Sequence, residues 1–171
     1  FLYPGLSMTP KDMIDVLDAR RIVMPRIAEV ATMNLNEDDI ERMEAAIRFA
    51  EEAIGDGSDL TEATRTVLSV ASMRFDLAMA DATRNKLLAR MMNMLLTWLD
   101  PLRIMTLRSS DDTDRALANL KDTLAALKSG DRTALLAALD RRMTQIEGEW
   151  ERASGRRLRR ERPDFLQTTD G

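Results

Sequence analysis

The chain has 171 residues, 44% hydrophobic and 32% charged, which fits one folded domain and excludes a disordered chain. It contains no Cys and no His. That removes disulfides, thiolate and imidazole metal sites, cysteine nucleophiles and Ser-His-Asp triads, and leaves only carboxylates as metal ligands. The net charge of −4 is a poor match for a nucleic-acid surface. No apolar run approaches the ~20 residues of a membrane span, and no signal segment opens the chain, so a cytoplasmic location without membrane contact is expected.

In chain order the punctuation predicts about six helices. Residues 1–8 contain Pro4 and Gly5 and read as a lead-in. Thr9-Pro10 is an N-cap followed by proline at the first helical position, with Asp12 three after the cap. The first helix should run to about Met33. Asn36 caps a second, with Glu37, Asp38 and Asp39 in its first turn, where acids suit the helix dipole. It should stop at Gly55-Asp56-Gly57. Asp59 with Glu62 has the capping-box spacing for a third helix ending near Ala82. Thr83 is positioned to cap a fourth, from Asn85 to about Leu107. Ser110 with Asp111, Asp112 and Asp114 starts a fifth, which Ser129-Gly130 ends. Asp131 caps a sixth reaching about Ala153.

Apolar spacing of three and four residues supports these helices: Ile40, Met43, Ile47 and Ile54 share a face, as do Leu117, Leu120, Leu124 and Leu127, and Leu135, Leu139, Met143, Ile146 and Trp150. The fourth helix is apolar nearly all round, from Leu87 through Met91, Met94 and Trp98 to Leu99. Such a helix belongs in the middle of a bundle or at a subunit interface, and Pro101 should kink it. Short loops imply antiparallel neighbours. The expected fold is all-α: a single antiparallel bundle spanning residues 9–155, followed by a basic, flexible tail over 156–171 that carries five arginines.

Charges on apolar stripes are the informative positions. Arg20 lies among Leu17, Met24, Ile27 and Ala31; Ser72 and Asp76 lie between Leu68 and Met79; Arg142 lies between Leu139 and Ile146. A single long arginine can snorkel from a stripe edge. Two cations and one anion on the inward stripes of three helices suit a small anion bound in the bundle core.

The segment 75–85, FDLAMADATRN, with the following KLLARMM, resembles the "FHxALAxAxGN-xLLxxL" stretch of the FCD domain, the C-terminal effector domain of FadR-type regulators in the GntR family of bacterial transcription factors. Arg20 with Pro25 and Ala28 resembles that family's first-helix segment. ALKSGD over 126–131 and TALLAALDRRM over 133–143 resemble its last turn and closing helix. The resemblance covers roughly residues 11–150. It implies an effector-binding domain that is not an enzyme, that forms a homodimer, and that reaches operator DNA through a winged helix-turn-helix upstream of this chain.

Most of that family hold a divalent metal with an aspartate, a histidine four residues later and two further histidines on the last two helices. Carried over by position, these are Ser72, Asp76, Leu120 and Arg142 here, and the family's first-helix glutamate is Met24. No ligand survives in kind, so neither a metal nor another cofactor is expected. The candidate effector site is Arg20, Ser72, Asp76, Leu120 and Arg142, with Met73 and Met79 offering an apolar surface. The expected ligand is an organic acid or acyl conjugate. Two other classes fit the sequence less well: an all-helical enzyme of the chorismate-mutase type, for which no matching set of paired Arg, Lys and Glu or Gln is recognisable, and an interaction bundle whose pocket is filled by its own side chains.

Overall fold

A computed structural model describes residues 9–55, 61–106 and 110–158. Among them the chain forms six α-helices: α1 Pro10–Asn34, α2 Glu37–Ile54, α3 Glu62–Ala82, α4 Lys86–Thr106, α5 Ser110–Ser129 and α6 Arg132–Ser154. No strand occurs among the described residues.

The helix starts follow capping chemistry. Thr9 and Asp12 form a reciprocal capping box on α1, and Asn36 and Asp39 form another on α2. Asp131 Oδ1 accepts from the Ala134 amide and starts α6. Two starts differ from the sequence expectation. Thr61 caps α3 by accepting from the Thr64 amide, while Asp59 lies outside the described residues. Asn85, not Thr83, caps α4: its Oδ1 accepts from the amides of Leu87 and Leu88, because Thr83 is used one residue beyond α3, donating to the Ala80 carbonyl. Gly130 (φ 69°) and Gly155 (φ 66°) follow α5 and α6 in the left-handed conformation that suits glycine.

Helix α1 is central and packs against α3, α4, α5 and α6. Leu17, Arg20, Met24, Ile27, Ala28 and Ala31 are its buried face. Helix α2 is joined to α1 by only Leu35 and Asn36, yet it packs against α3 and α5 instead of back along α1. A short loop therefore did not make those two helices neighbours. The main core joins Met24, Ile27, Met43, Phe75, Met79, Met92, Leu96, Leu120 and Leu139, and a second cluster joins Met13, Leu17, Leu95, Leu99, Leu102 and Trp150. Leu158 packs into that second cluster, so the chain stays anchored three residues beyond the expected domain edge at 155. The later arginines of the basic segment lie outside the described residues.

Helix α4 buries Met92, Leu95, Leu96, Leu99 and Leu102. Its opposite side keeps Leu87 at 65% and Met94 at 47% exposure, with Met91 and Trp98 half-buried between and beside them. The four recur at steps of four, three and four, which is one helical stripe. The proline at 101 does not interrupt the helix, which runs unbroken to Thr106.

At one end of the bundle, Arg84 adopts φ 58° in the α3–α4 turn and donates to Asp39 from Nη1 and Nη2, at 3.1 and 2.5 Å. Arg42 donates to the same carboxylate at 2.8 Å. Burial pushes the Asp39 carboxyl up, but the bonds from Arg84, Arg42 and the Asn36 amide outweigh it and hold the group below its ordinary value. A depressed carboxyl stabilises the fold fully above its unfolded value of about 4, and the contribution is lost as pH falls through the folded value. Asp39→Asn should therefore cost about 1–2 kcal/mol near neutral pH, modest because Arg42 and Arg84 are exposed. In urea titrations across the acid range, its deficit against the parent should shrink towards zero as the pH falls.

Candidate functional site

Three helices bring the predicted polar residues together. Asp76 on α3 is fully buried and Arg142 on α6 is 5% exposed. Arg142 Nη2 donates to Asp76 Oδ1 at 2.6 Å. Arg20 on α1, 1% exposed, places Nη2 at 3.8 Å from Asp76 Oδ2. One carboxylate thus stands between two guanidinium groups. The Arg142 guanidinium also lies over the Phe75 ring, 5.4 Å from its centroid, so the cation has a π face below and an anion at one edge. Its Nη1 is buried with no hydrogen-bond partner among the described residues.

Arg142 also lines a cavity of about 40 Å³ between α3, α5 and α6. The α3 wall is Leu68, Ser69 and Ser72; the α5 wall is Ala116, Asn119 and Leu120; the α6 wall is Arg142, Gln145, Ile146 and Glu149. Such a volume holds about three water molecules. The rim is fixed by its own hydrogen bonds. Asn119 Nδ2 donates to Gln145 Oε1 at 2.8 Å, and Gln145 Nε2 donates to Glu149 Oε1 at 2.8 Å and to the Asp112 carbonyl at 3.0 Å. Asp112, an acid of the first α5 turn, is buried and accepts from Arg115 and Arg152.

Of the sequence-predicted residues, Ser72, Leu120 and Arg142 line the cavity, and Asp76 and Arg20 stand behind Arg142. Met73 and Met79 do not line it. Met73 is turned about 100° from Ser72 by the helix, and Met79 lies two turns further on, fully buried in the main core. Sequence reasoning missed Ser69, Asn119, Gln145 and Glu149. The signal was present as spacing: 142, 145 and 149 continue one stripe of α6, and 65, 69, 72 and 76 continue one stripe of α3.

The residues at the family's metal positions do not fit a divalent cation. Asp76 is the single carboxylate among them, it is hydrogen-bonded by Arg142, and Arg20 adds a second positive charge beside it. A cation placed there would meet two guanidinium groups and one shared carboxylate. Met24, at the first-helix position, is buried in the apolar core. No group of three or more acidic, His or Cys side chains suited to a metal occurs among the described residues. No helix among the described residues is long and apolar enough to cross a membrane.

No curated protein sequence matches the chain. Among solved structures, the fold is similar to that of E. coli McbR/YncC, with a TM-score of 0.69 at 17% identity over 84% of this chain and 66% of that one. The chain therefore spans just under two thirds of that solved chain. The FCD domain family model matches residues 15–145, which include α2 to α5 whole, most of α1 and the first part of α6 with Arg142. The chain belongs to the FCD domain family, the effector domains of GntR-type transcriptional regulators.

Proposed function

We propose that this domain senses a small carboxylate-bearing metabolite in the cavity between α3, α5 and α6, without a metal, and passes the signal through a homodimer to DNA-binding heads outside this chain. The observation that carries the reading is Arg142. Its Nη2 is held by Asp76, its Nη1 has no hydrogen-bond partner among the described residues, and the side chain lines the cavity. A buried guanidinium N–H without an acceptor costs free energy, and an incoming carboxylate oxygen offsets that cost. The guanidinium then supplies the positive charge that a metal supplies in most of the family. Asp76 and Arg20 fix its position, while Ser72 and Leu120 form walls. With Met73 and Met79 outside the cavity, an organic acid fits better than an acyl conjugate.

Effector binding acts on the regulator only if the ligand prefers one arrangement of the two DNA-binding heads, which is a population shift. Operator DNA, FadR-type regulation and a cytoplasmic location belong to this same reading.

A panel of small carboxylic acids, with and without hydroxyl or amino substituents, tests it by thermal shift. At least one member at a hundredfold excess over its Kd should stabilise the fold by about 2.7 kcal/mol, whereas zinc, nickel and manganese should leave Tm unchanged. A metal-induced rise, or a panel without a single binder, would remove the reading.

The stripe of Leu87, Met91, Met94 and Trp98 supports the dimer, since a two-fold operator calls for a two-fold protein and this stripe is an apolar face that the bundle leaves partly uncovered among the described residues. Sedimentation at micromolar concentration should show a dimer, and Met94→Glu should shift it to monomer while the helical circular-dichroism signal is retained. A monomeric parent chain would remove α4 as the interface.

A further inference from the structure

Leu120 closes the cavity towards the middle of the bundle. It is 1% exposed, it lines the cavity from α5, and it also belongs to the main core with Phe75, Met79 and Leu139. The other apolar walls are Leu68, Ala116 and Ile146. Hydrogen bonds from Asn119 to Gln145, and from Gln145 to the Asp112 carbonyl, tie α5 to α6 at this level, so the two helices are not free to part around a larger ligand.

The volume of about 40 Å³ holds about three waters. Covalently joined atoms sit about 1.5 Å apart, against about 2.8 Å for hydrogen-bonded waters, so the same space takes about four or five heavy atoms of one molecule. A carboxyl group on Arg142 Nη1, which has no hydrogen-bond partner among the described residues, accounts for about three of them. About one or two carbons remain for the rest of the ligand. Each further methylene raises affinity about fourfold while there is apolar space to bury it. Once the space is full, the next one must push Leu120 into a close-packed core, at a loss of about tenfold or more. Affinity along a series of straight-chain acids therefore rises, turns and falls.

We infer that the effector is a carboxylic acid of about two or three carbons and that Leu120 sets this limit. This rests on the reading of the cavity as the effector site, and it adds the length of the ligand and the residue that measures it. Leu120→Ala removes Cγ and both Cδ atoms, which leaves room for about two further methylenes, while Leu120→Val leaves room for about one.

Isothermal titration calorimetry on the 171-residue chain tests it with acetate, propionate, butyrate and hexanoate. Acetate or propionate should bind tightest, and hexanoate about tenfold or more weaker. Leu120→Ala, checked for folding by circular dichroism, should move the tightest binder to butyrate or hexanoate. The milder Leu120→Val should move it by about one methylene and serves if the alanine variant does not fold. Butyrate or hexanoate as the tightest ligand of the parent chain would overturn the length limit and leave the carboxylate-sensor reading standing. So would a folded Leu120 variant that prefers the same acid as the parent. Absence of binding by all the acids, to the parent and to the folded variants, would overturn both.

Discussion

Replacing Arg142 with leucine will cost the domain about 3–5 kcal/mol, because it leaves a fully buried Asp76 without the guanidinium that donates to it at 2.6 Å. For a domain of this size the loss corresponds to a fall in Tm on the order of 10 °C. Arg20, 3.8 Å from the other carboxylate oxygen, softens the loss but does not replace the bond. The double variant Asp76→Leu, Arg142→Leu should recover part of it, since two apolar side chains can fill the space that the ion pair held. Recovery should be incomplete, because Arg20 then loses the attraction of that carboxylate. Urea unfolding of the parent, both single variants and the double variant closes the cycle. A cost under about 1 kcal/mol for Arg142→Leu, the range of an exposed pair, would show that Asp76 does not depend on this partner.

The second large effect lies between α1 and α6. Arg21 Nε and Nη2 donate to both oxygens of Glu147, at 2.7 and 2.9 Å, Nη1 donates to Asp140 at 2.6 Å, and Nη2 also reaches Thr144 at 3.0 Å. The fork thus spans two turns of α6 from one position on α1. Burial pushes the Arg21 guanidinium down, but its bonds to Glu147 and Asp140 outweigh that and raise it, so it stays charged at every working pH. Arg21→Met should cost about 3 kcal/mol, since the stem is preserved and two acids lose their shared cation. Arg21→Lys should fall between, because an ammonium keeps the charge but cannot form the planar fork. Thermal denaturation of the three chains checks the order. A lysine variant as stable as the parent would mean that the charge alone, and not the fork, holds α1 to α6.

Both predictions turn on partners far apart in the chain: Asp76 and Arg142 are 66 residues apart, and Arg21 and Glu147 are 126. Periodicity assigned Arg142 to an inward stripe, but Arg21 sits beside Arg20 and its stripe membership gave no warning of a clamp. Helical spacing fixes which face a side chain lies on. It does not fix the rotation of that face about the bundle axis, nor the level at which a neighbouring helix meets it.

That difference separates what each level of description decided. Local chemistry within three or four residues determined the helices: Asn36 and Asp131 capped where expected, and glycines ended α5 and α6. Composition determined that imidazole and thiolate metal chemistry is impossible, since His and Cys are absent. Tertiary structure decided that α2 packs on α3 and α5, that Thr83 belongs to the end of α3, and that Met73 and Met79 turn away from the cavity. It also brought Glu149, Gln145 and Asn119 around Arg142, because three helices meet at that level and only their packing places a carboxylate and a guanidinium on the wall of one small space.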